Sequence, residues 1–89
     1  MLRYHVIFKG RVQGVGFRYQ AKMLADKNNI TGSVKNLTNG HVEAYVQADE
    51  KTIEKFIKEI KNLRFVRIES IDYKKIPIKA YEKDFKILY

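Results

Sequence analysis

The segment from Gly10 to Arg18, with the sequence GRVQGVGFR, carries the residue types best suited to bind an anion. Three glycines within seven residues favour a loop, and the surrounding pattern places it between a strand and the first turn of a helix. Unpaired backbone N–H groups and the helix dipole favour an anion at such a point. Gly14 and Gly16 allow successive amides from Gln13 onward to converge, and Arg18 adds a forked cation. The segment therefore predicts a cradle for a phosphate group.

Two better-known phosphate-binding loops do not fit this segment. A Walker A loop has Lys followed by Ser or Thr after its glycines, and this pair is absent here. A dinucleotide fingerprint needs a third glycine where Tyr19 stands and an acidic residue about twenty positions later, which is missing. Neither ATP nor NAD is therefore expected. From the loop alone, the glycines could equally turn a tight corner, with Arg18 as a solvated surface charge.

Hydrophobic periodicity predicts the elements that position this loop. An alternating strand ends before Gly10, and an amphipathic helix follows the loop to Asn28 or Asn29. Further strands are predicted over residues 30–37, 41–48, 65–73 and 85–89, with an Asn-Gly hairpin turn between the first two. The second helix is predicted over residues 49–62, with Asp49 as its cap. This order, βαββαβ plus a short last strand, indicates an α+β, ferredoxin-like sandwich. In that fold one antiparallel sheet is covered on one face by two helices.

A second segment, from Gly32 to Gly40, ends the strand that is expected to lie near the loop. Its sequence GSVKN-x-x-NG, together with GRVQGVGFR, closely resembles the two signatures of the acylphosphatase family. The spacing of the two motifs and the βαββαβ order also match that family. The resemblance extends over the whole chain, and the specific motifs occupy roughly a quarter of it.

The resemblance implies an enzyme that hydrolyses the carboxyl–phosphate anhydride of acyl phosphates to a carboxylate and inorganic phosphate, without a metal or cofactor. It assigns phosphate binding to Arg18 and the orientation of the attacking water to Asn36. The amide cradle that it assigns to the phosphate consists of Gln13, Gly14, Val15, Gly16 and Phe17. The implied partners are a small-molecule acyl phosphate as substrate and inorganic phosphate as product and inhibitor. Because an acyl phosphate already has a good leaving group, placing water and stabilising charge would suffice for catalysis.

The sequence departs from the family pattern at two positions. The family commonly has Trp and Arg where this chain has Ser33 and Lys35, and the chain contains no tryptophan at all. We expect these two substitutions to alter the packing near the hairpin and the contacts to the acyl group, while catalysis survives them.

The composition limits the classes of protein to which this chain can belong. With 89 residues, Lys+Arg 18 against Asp+Glu 10 and a formal net charge of +8, one small basic domain over residues 1–89 is expected. The absence of cysteine excludes disulfides, a thiolate nucleophile, iron–sulfur clusters and Cys-ligated zinc. No apolar stretch reaches the length of a signal-peptide core or a membrane span. We therefore expect a cytoplasmic monomer with no membrane partner.

The alternative hypothesis is a basic ferredoxin-like module that binds nucleic acid, which the net charge of +8 and several tyrosines suggest. RNA-recognition domains place paired aromatic residues on a central strand, and the segment 41–48 offers only Tyr45. We therefore expect no nucleic-acid partner. A third hypothesis, a non-catalytic domain that keeps the fold, would require the loss of Arg18 or Asn36, and both are present.

Overall fold

The chain folds into two helices and five strands in the predicted order, as a computed structural model that describes residues 1–89 shows. The elements are β1 Leu2–Arg11, α1 Phe17–Lys27, β2 Thr31–Asn36, β3 Val42–Ala48, α2 Glu50–Lys61, β4 Arg67–Ile76 and β5 Phe85–Leu88. The predicted ferredoxin-like βαββαβ order with a short C-terminal strand is confirmed. No helix is long and apolar enough to cross a membrane.

All five strands form one sheet in the order β4-β1-β3-β2-β5. The first four strands pair antiparallel, as predicted. The short last strand runs parallel to β2, with Val34 opposite Ile87 and Lys35 opposite Leu88, so the sheet is mixed. This pairing brings the end of the chain beside Asn36, the last residue of β2.

The hydrophobic core lies between one face of the sheet and both helices. Buried side chains from β1, β2 and β3 alternate along their strands and meet the buried stripes of the helices, and the cluster they form holds 16 residues. In α1 the stripe is Phe17, Ala21 and Ala25, and in α2 it is Ile53, Phe56 and Ile60. These stripes fix the face that each helix turns to the sheet, so they also fix the direction in which α1 begins.

Three of the predicted strand boundaries are wrong by two residues or more. Strand β1 does not end before Gly10 but continues to Arg11, because an irregularity after Lys9 lets the strand keep pairing with β4. Gly10 has a φ of 129° there, and a Cβ at this position would overlap the backbone of β4. Strand β4 begins at Arg67, whereas Phe65 lies in the preceding turn with a φ of 65°. Its predicted end at Tyr73 is also wrong, because the pairing with β1 continues to Ile76.

A buried polar cluster on the second sheet face holds the segment 77–84 that leads into β5. The Arg3 Nη1 donates to Glu82 Oε1 at 2.6 Å, and both side chains are largely buried. Gln47 Oε1 accepts from the Lys79 N–H at 2.8 Å, and Gln47 Nε2 donates to the Lys79 carbonyl at 2.9 Å. Every partner in this cluster comes from the chain itself, and the cluster fixes where β5 starts.

Candidate active site

The loop after β1 leads into α1 through two glycines in the left-handed region. Gly14 has a φ of 74°, and Gly16, the N-cap residue of α1, has a φ of 73°. Gly16 has no side chain to cap the helix, and the first turn contains no acidic residue. The first backbone N–H that bonds back into the helix is that of Gln20, to the Gly16 carbonyl. The earlier amides of the helix are therefore left for another acceptor.

Two glutamine side chains hold this loop in shape. Gln13 Nε2 donates to the carbonyls of Leu37 and His41, at 2.7 and 2.8 Å, and so ties the loop to the β2–β3 hairpin. Gln20 Nε2 donates to the Val15 carbonyl at 3.3 Å. Because Gln13 Nε2 already donates to two carbonyls, only the backbone N–H of Gln13 is left to donate to an anion.

Asn36 stands at the end of β2 with its carboxamide oxygen unsatisfied. Its Oδ1 is the one buried side-chain polar atom of the chain that has no hydrogen-bond partner. Buried polar atoms in proteins are nearly always paired, and leaving one unpaired costs about 1–3 kcal/mol. This atom therefore marks a place where the chain leaves a hydrogen bond for something else to make.

Arg18, the second residue of α1, extends toward the end of the chain. Its Nη1 donates to the Leu88 carbonyl at 3.1 Å, and its guanidinium carbon lies 5.0 Å from the centroid of the Tyr89 ring. A guanidinium has five N–H donors, and the structure uses one of them within the chain. The remaining donors are free to bind an anion.

A surface cavity of about 240 Å³ brings these groups together. Its lining consists of Val12, Gly14, Gly16, Phe17, Arg18, Tyr19, Asn36, Ile87 and Tyr89. Five of the seven residues predicted from the sequence are in this lining; Gln13 and Val15 belong to the same loop but do not line the cavity. No acidic side chain lines it, so it is suited to an anion. Two larger surface cavities, of about 710 and 980 Å³, contain neither Arg18 nor Asn36.

Four lining residues were not among the predicted site residues: Val12, Tyr19, Ile87 and Tyr89. Ser33 and Lys35, at which we expected the departure from the family pattern to alter the contacts to the acyl group, do not line the cavity. Successive side chains of a strand alternate between the two sheet faces, and Asn36 shares its face with the fully buried Val34. This alternation is visible in the sequence of β2, so the sequence alone was sufficient to place Ser33 and Lys35 on the sheet face opposite Asn36.

Comparison with known proteins identifies the family. The family model for acylphosphatase matches residues 4–87. The acylphosphatase of Clostridium acetobutylicum is 51% identical over 90 aligned residues that span all of this chain and 99% of the relative, and that of Clostridium beijerinckii is 46% identical over the full length of both. The crystal structure of acylphosphatase from Bacillus subtilis superposes with a TM-score of 0.93 at 38% identity and covers both chains fully. Sequence, fold and length agree, and this chain belongs to the acylphosphatase family of hydrolases.

Proposed function

We propose that this chain hydrolyses acyl phosphates with Arg18 and the loop amides binding the phosphoryl group and Asn36 orienting the attacking water. The observation that carries the proposal is that Asn36, whose Oδ1 is buried without a hydrogen-bond partner, lines the same cavity as Arg18. A chain that needed Asn36 only for its fold would satisfy that oxygen, as it satisfies Gln47 in the cluster on the other sheet face.

The phosphoryl group binds where α1 begins. The N–H groups of the loop and of the first helical turn donate to its oxygens, and the positive end of the helix dipole favours its charge. Arg18 adds a planar fork that matches two phosphate oxygens. Its bond to the Leu88 carbonyl and its position against the Tyr89 ring hold the fork in place before the substrate arrives. These donors stabilise the charge that spreads over the phosphoryl oxygens in the transition state.

The water molecule is placed by Asn36. Its carboxamide oxygen accepts a hydrogen bond from the water and directs the water oxygen at phosphorus, opposite the acyl oxygen. The bond between phosphorus and the water oxygen forms as the bond between phosphorus and the acyl oxygen breaks, and the carboxylate leaves with the bonding electrons. A carboxamide is no base, so the water proton passes to a phosphoryl oxygen of the substrate. The inorganic phosphate that forms occupies the same cradle and inhibits by competition.

A monomer as the active species stays a prediction. Action in the cytoplasm, independence of metals and cofactors and the absence of a nucleic-acid partner stay predictions.

The test is hydrolysis of benzoyl phosphate and acetyl phosphate by the purified chain in the presence of EDTA. We expect turnover of both, with competitive inhibition by inorganic phosphate, and a kcat/KM about a hundredfold to a thousandfold lower for Arg18→Ala. Folded protein that hydrolyses neither substrate would overturn the proposal, and tight binding of RNA by such protein would favour the nucleic-acid hypothesis instead.

A further inference from the structure

Large apolar side chains stand exposed at the rim of the cavity that Arg18 lines. Tyr19 is 64% exposed and Tyr89 is 93% exposed, although both line this cavity together with the half-buried Ile87. Met23 follows Tyr19 by one helical turn and is 55% exposed, so the apolar surface continues along α1. Exposed large apolar side chains that gather beside a binding cavity are characteristic of a ligand-contact surface.

Within the fold, the two tyrosine rings make one aromatic or cation–π contact, that of Tyr89 with Arg18. The Tyr19 ring makes no aromatic pair, and neither hydroxyl group donates or accepts a hydrogen bond within the chain. One side of the Tyr89 ring lies against Arg18, and the high exposure of the residue leaves the rest of the ring open. Both rings can therefore contact a bound molecule without giving up a contact inside the protein.

We propose that Tyr19 and Tyr89, with Ile87, form an acyl-binding subsite that favours flat, apolar acyl groups; this inference rests on the proposed function. The loop amides, Arg18 and Asn36 bind the phosphoryl group and the water, so the acyl group of the substrate must extend toward the rim. The cavity of about 240 Å³ is smaller than a typical ligand pocket, so part of a bound acyl group is expected to lie at its rim. An acyl group at the rim meets aromatic faces and an isoleucine there, which bind planar apolar groups by stacking and burial.

No acidic residue lines the cavity, and Arg18, its one charged side chain, is assigned to the phosphoryl group. A second charge on the acyl group would therefore gain no dedicated partner in this subsite. The position of Ser33 and Lys35 outside the cavity lining strengthens the assignment, because it leaves the rim residues to determine acyl preference.

The test compares kcat/KM for benzoyl phosphate and acetyl phosphate in the intact chain and in Tyr19 variants. Because the two substrates differ in intrinsic reactivity, the informative quantity is the change in the benzoyl-to-acetyl ratio between variants. We expect Tyr19→Ala to lower this ratio by about fivefold to tenfold, the effect of one aromatic contact, and Tyr19→Phe to retain it. The matched control is Tyr81→Ala, since Tyr81 is 91% exposed and does not line this cavity. The test uses Tyr19 variants because substitution of Tyr89 would also remove the contact of its ring with Arg18.

Inhibition by phenylphosphonate and methylphosphonate gives a second readout that involves no chemical step. Tyr19→Ala should weaken inhibition by phenylphosphonate relative to methylphosphonate by the same factor. A Tyr19→Ala protein whose substrate ratio equals that of Tyr81→Ala, while both substrates are still hydrolysed, would overturn the subsite and leave the proposed function standing. Hydrolysis of neither substrate by the unmodified chain would overturn both.

Discussion

The two helices of this protein begin in opposite ways. At α2 the Asp49 carboxylate accepts the Thr52 N–H at 2.8 Å, and Glu50 adds a second acid to the first turn. At α1 the cap is Gly16, no side chain accepts from the helix, and the first turn has no acid. The N-terminus of each helix presents backbone N–H groups without partners inside the helix, together with the positive end of the helix dipole. The chain supplies its own anion at α2 and supplies none at α1.

The Asp49 carboxylate that caps α2 is stabilised in its ionised form. Two hydrogen bonds from Thr52 lower the pKa of Asp49 below its ordinary value of 3.8. The bond from the backbone N–H has the larger effect and the bond from the side chain the smaller one. The carboxylate is therefore ionised across the neutral range and stabilises the helix continuously. The uncapped N-terminus of α1 is a candidate anion site because of its neighbours, since Arg18 and Asn36, whose Oδ1 has no partner, line the same cavity.

The largest effect is expected from removing the cation beside the α1 terminus. Arg18→Ala should lower kcat/KM for benzoyl phosphate by about a hundredfold to a thousandfold, because a preorganised donor to the transition state is lost. Urea denaturation should show a change in unfolding free energy within about 1 kcal/mol, since the Arg18 side chain makes one exposed hydrogen bond. Arg64→Ala is the matched control: this exposed guanidinium also lies beside an aromatic ring, at 6.0 Å from the Phe65 centroid. Wild-type rates in Arg18→Ala would contradict the assignment.

A second substitution would give α1 an acidic N-cap like the one that α2 has. Gly16→Asp places a carboxylate where the phosphate is expected, and Gly16→Asn places a neutral side chain of the same shape there, with the same backbone strain. At about 5 Å and an effective dielectric constant of about 20, a unit charge costs the bound anion about 3 kcal/mol. We expect Gly16→Asp to bind inorganic phosphate about a hundredfold more weakly than Gly16→Asn, measured as inhibition or by calorimetry. Equal affinities in the two variants would show that the α1 terminus does not bind the anion.

The converse change at α2 should affect stability alone. Asp49→Ala removes the cap, so the unfolding free energy should fall at neutral pH while kcat/KM of the folded protein stays within about twofold. A lowered pKa means that the charge stabilises the fold above pH 3.8 and that this contribution is lost as the pH falls through the lowered value. The stability difference between the variant and the wild type should therefore narrow in acid. A difference that grows as the pH falls would contradict this account of Asp49.

Much of this arrangement could be predicted from local sequence. Gly14 and Gly16 are required at positive φ, Arg18 follows them at the helix start, and Asp49 stands before an amphipathic stripe. Each of these features depends on a few consecutive residues. The same holds for the order of the elements, since each helix and strand carries its own hydrophobic period.

The parts that escaped prediction depend on pairing between distant segments. Nothing in residues 85–89 specifies that they run parallel to β2, because an alternating strand can join either edge of a sheet in either direction. That choice brings Leu88 and Tyr89 to Arg18. The Gln13 bonds to the hairpin and the extension of β1 beyond Gly10 arise in the same way, from contacts whose partners lie more than twenty residues away.

Asn36→Ala tests the central claim most directly, namely that the unpartnered oxygen serves the attacking water. We expect kcat for benzoyl phosphate to fall by about a hundredfold, because the water is no longer held in line, while the inhibition constant for inorganic phosphate changes by less than about twofold. The unfolding free energy should stay equal to that of the wild type or rise, because the variant removes a buried polar atom that has no partner. A loss of stability of about 2 kcal/mol or more, with kcat of the folded protein unchanged, would contradict the account and make Asn36 a structural residue.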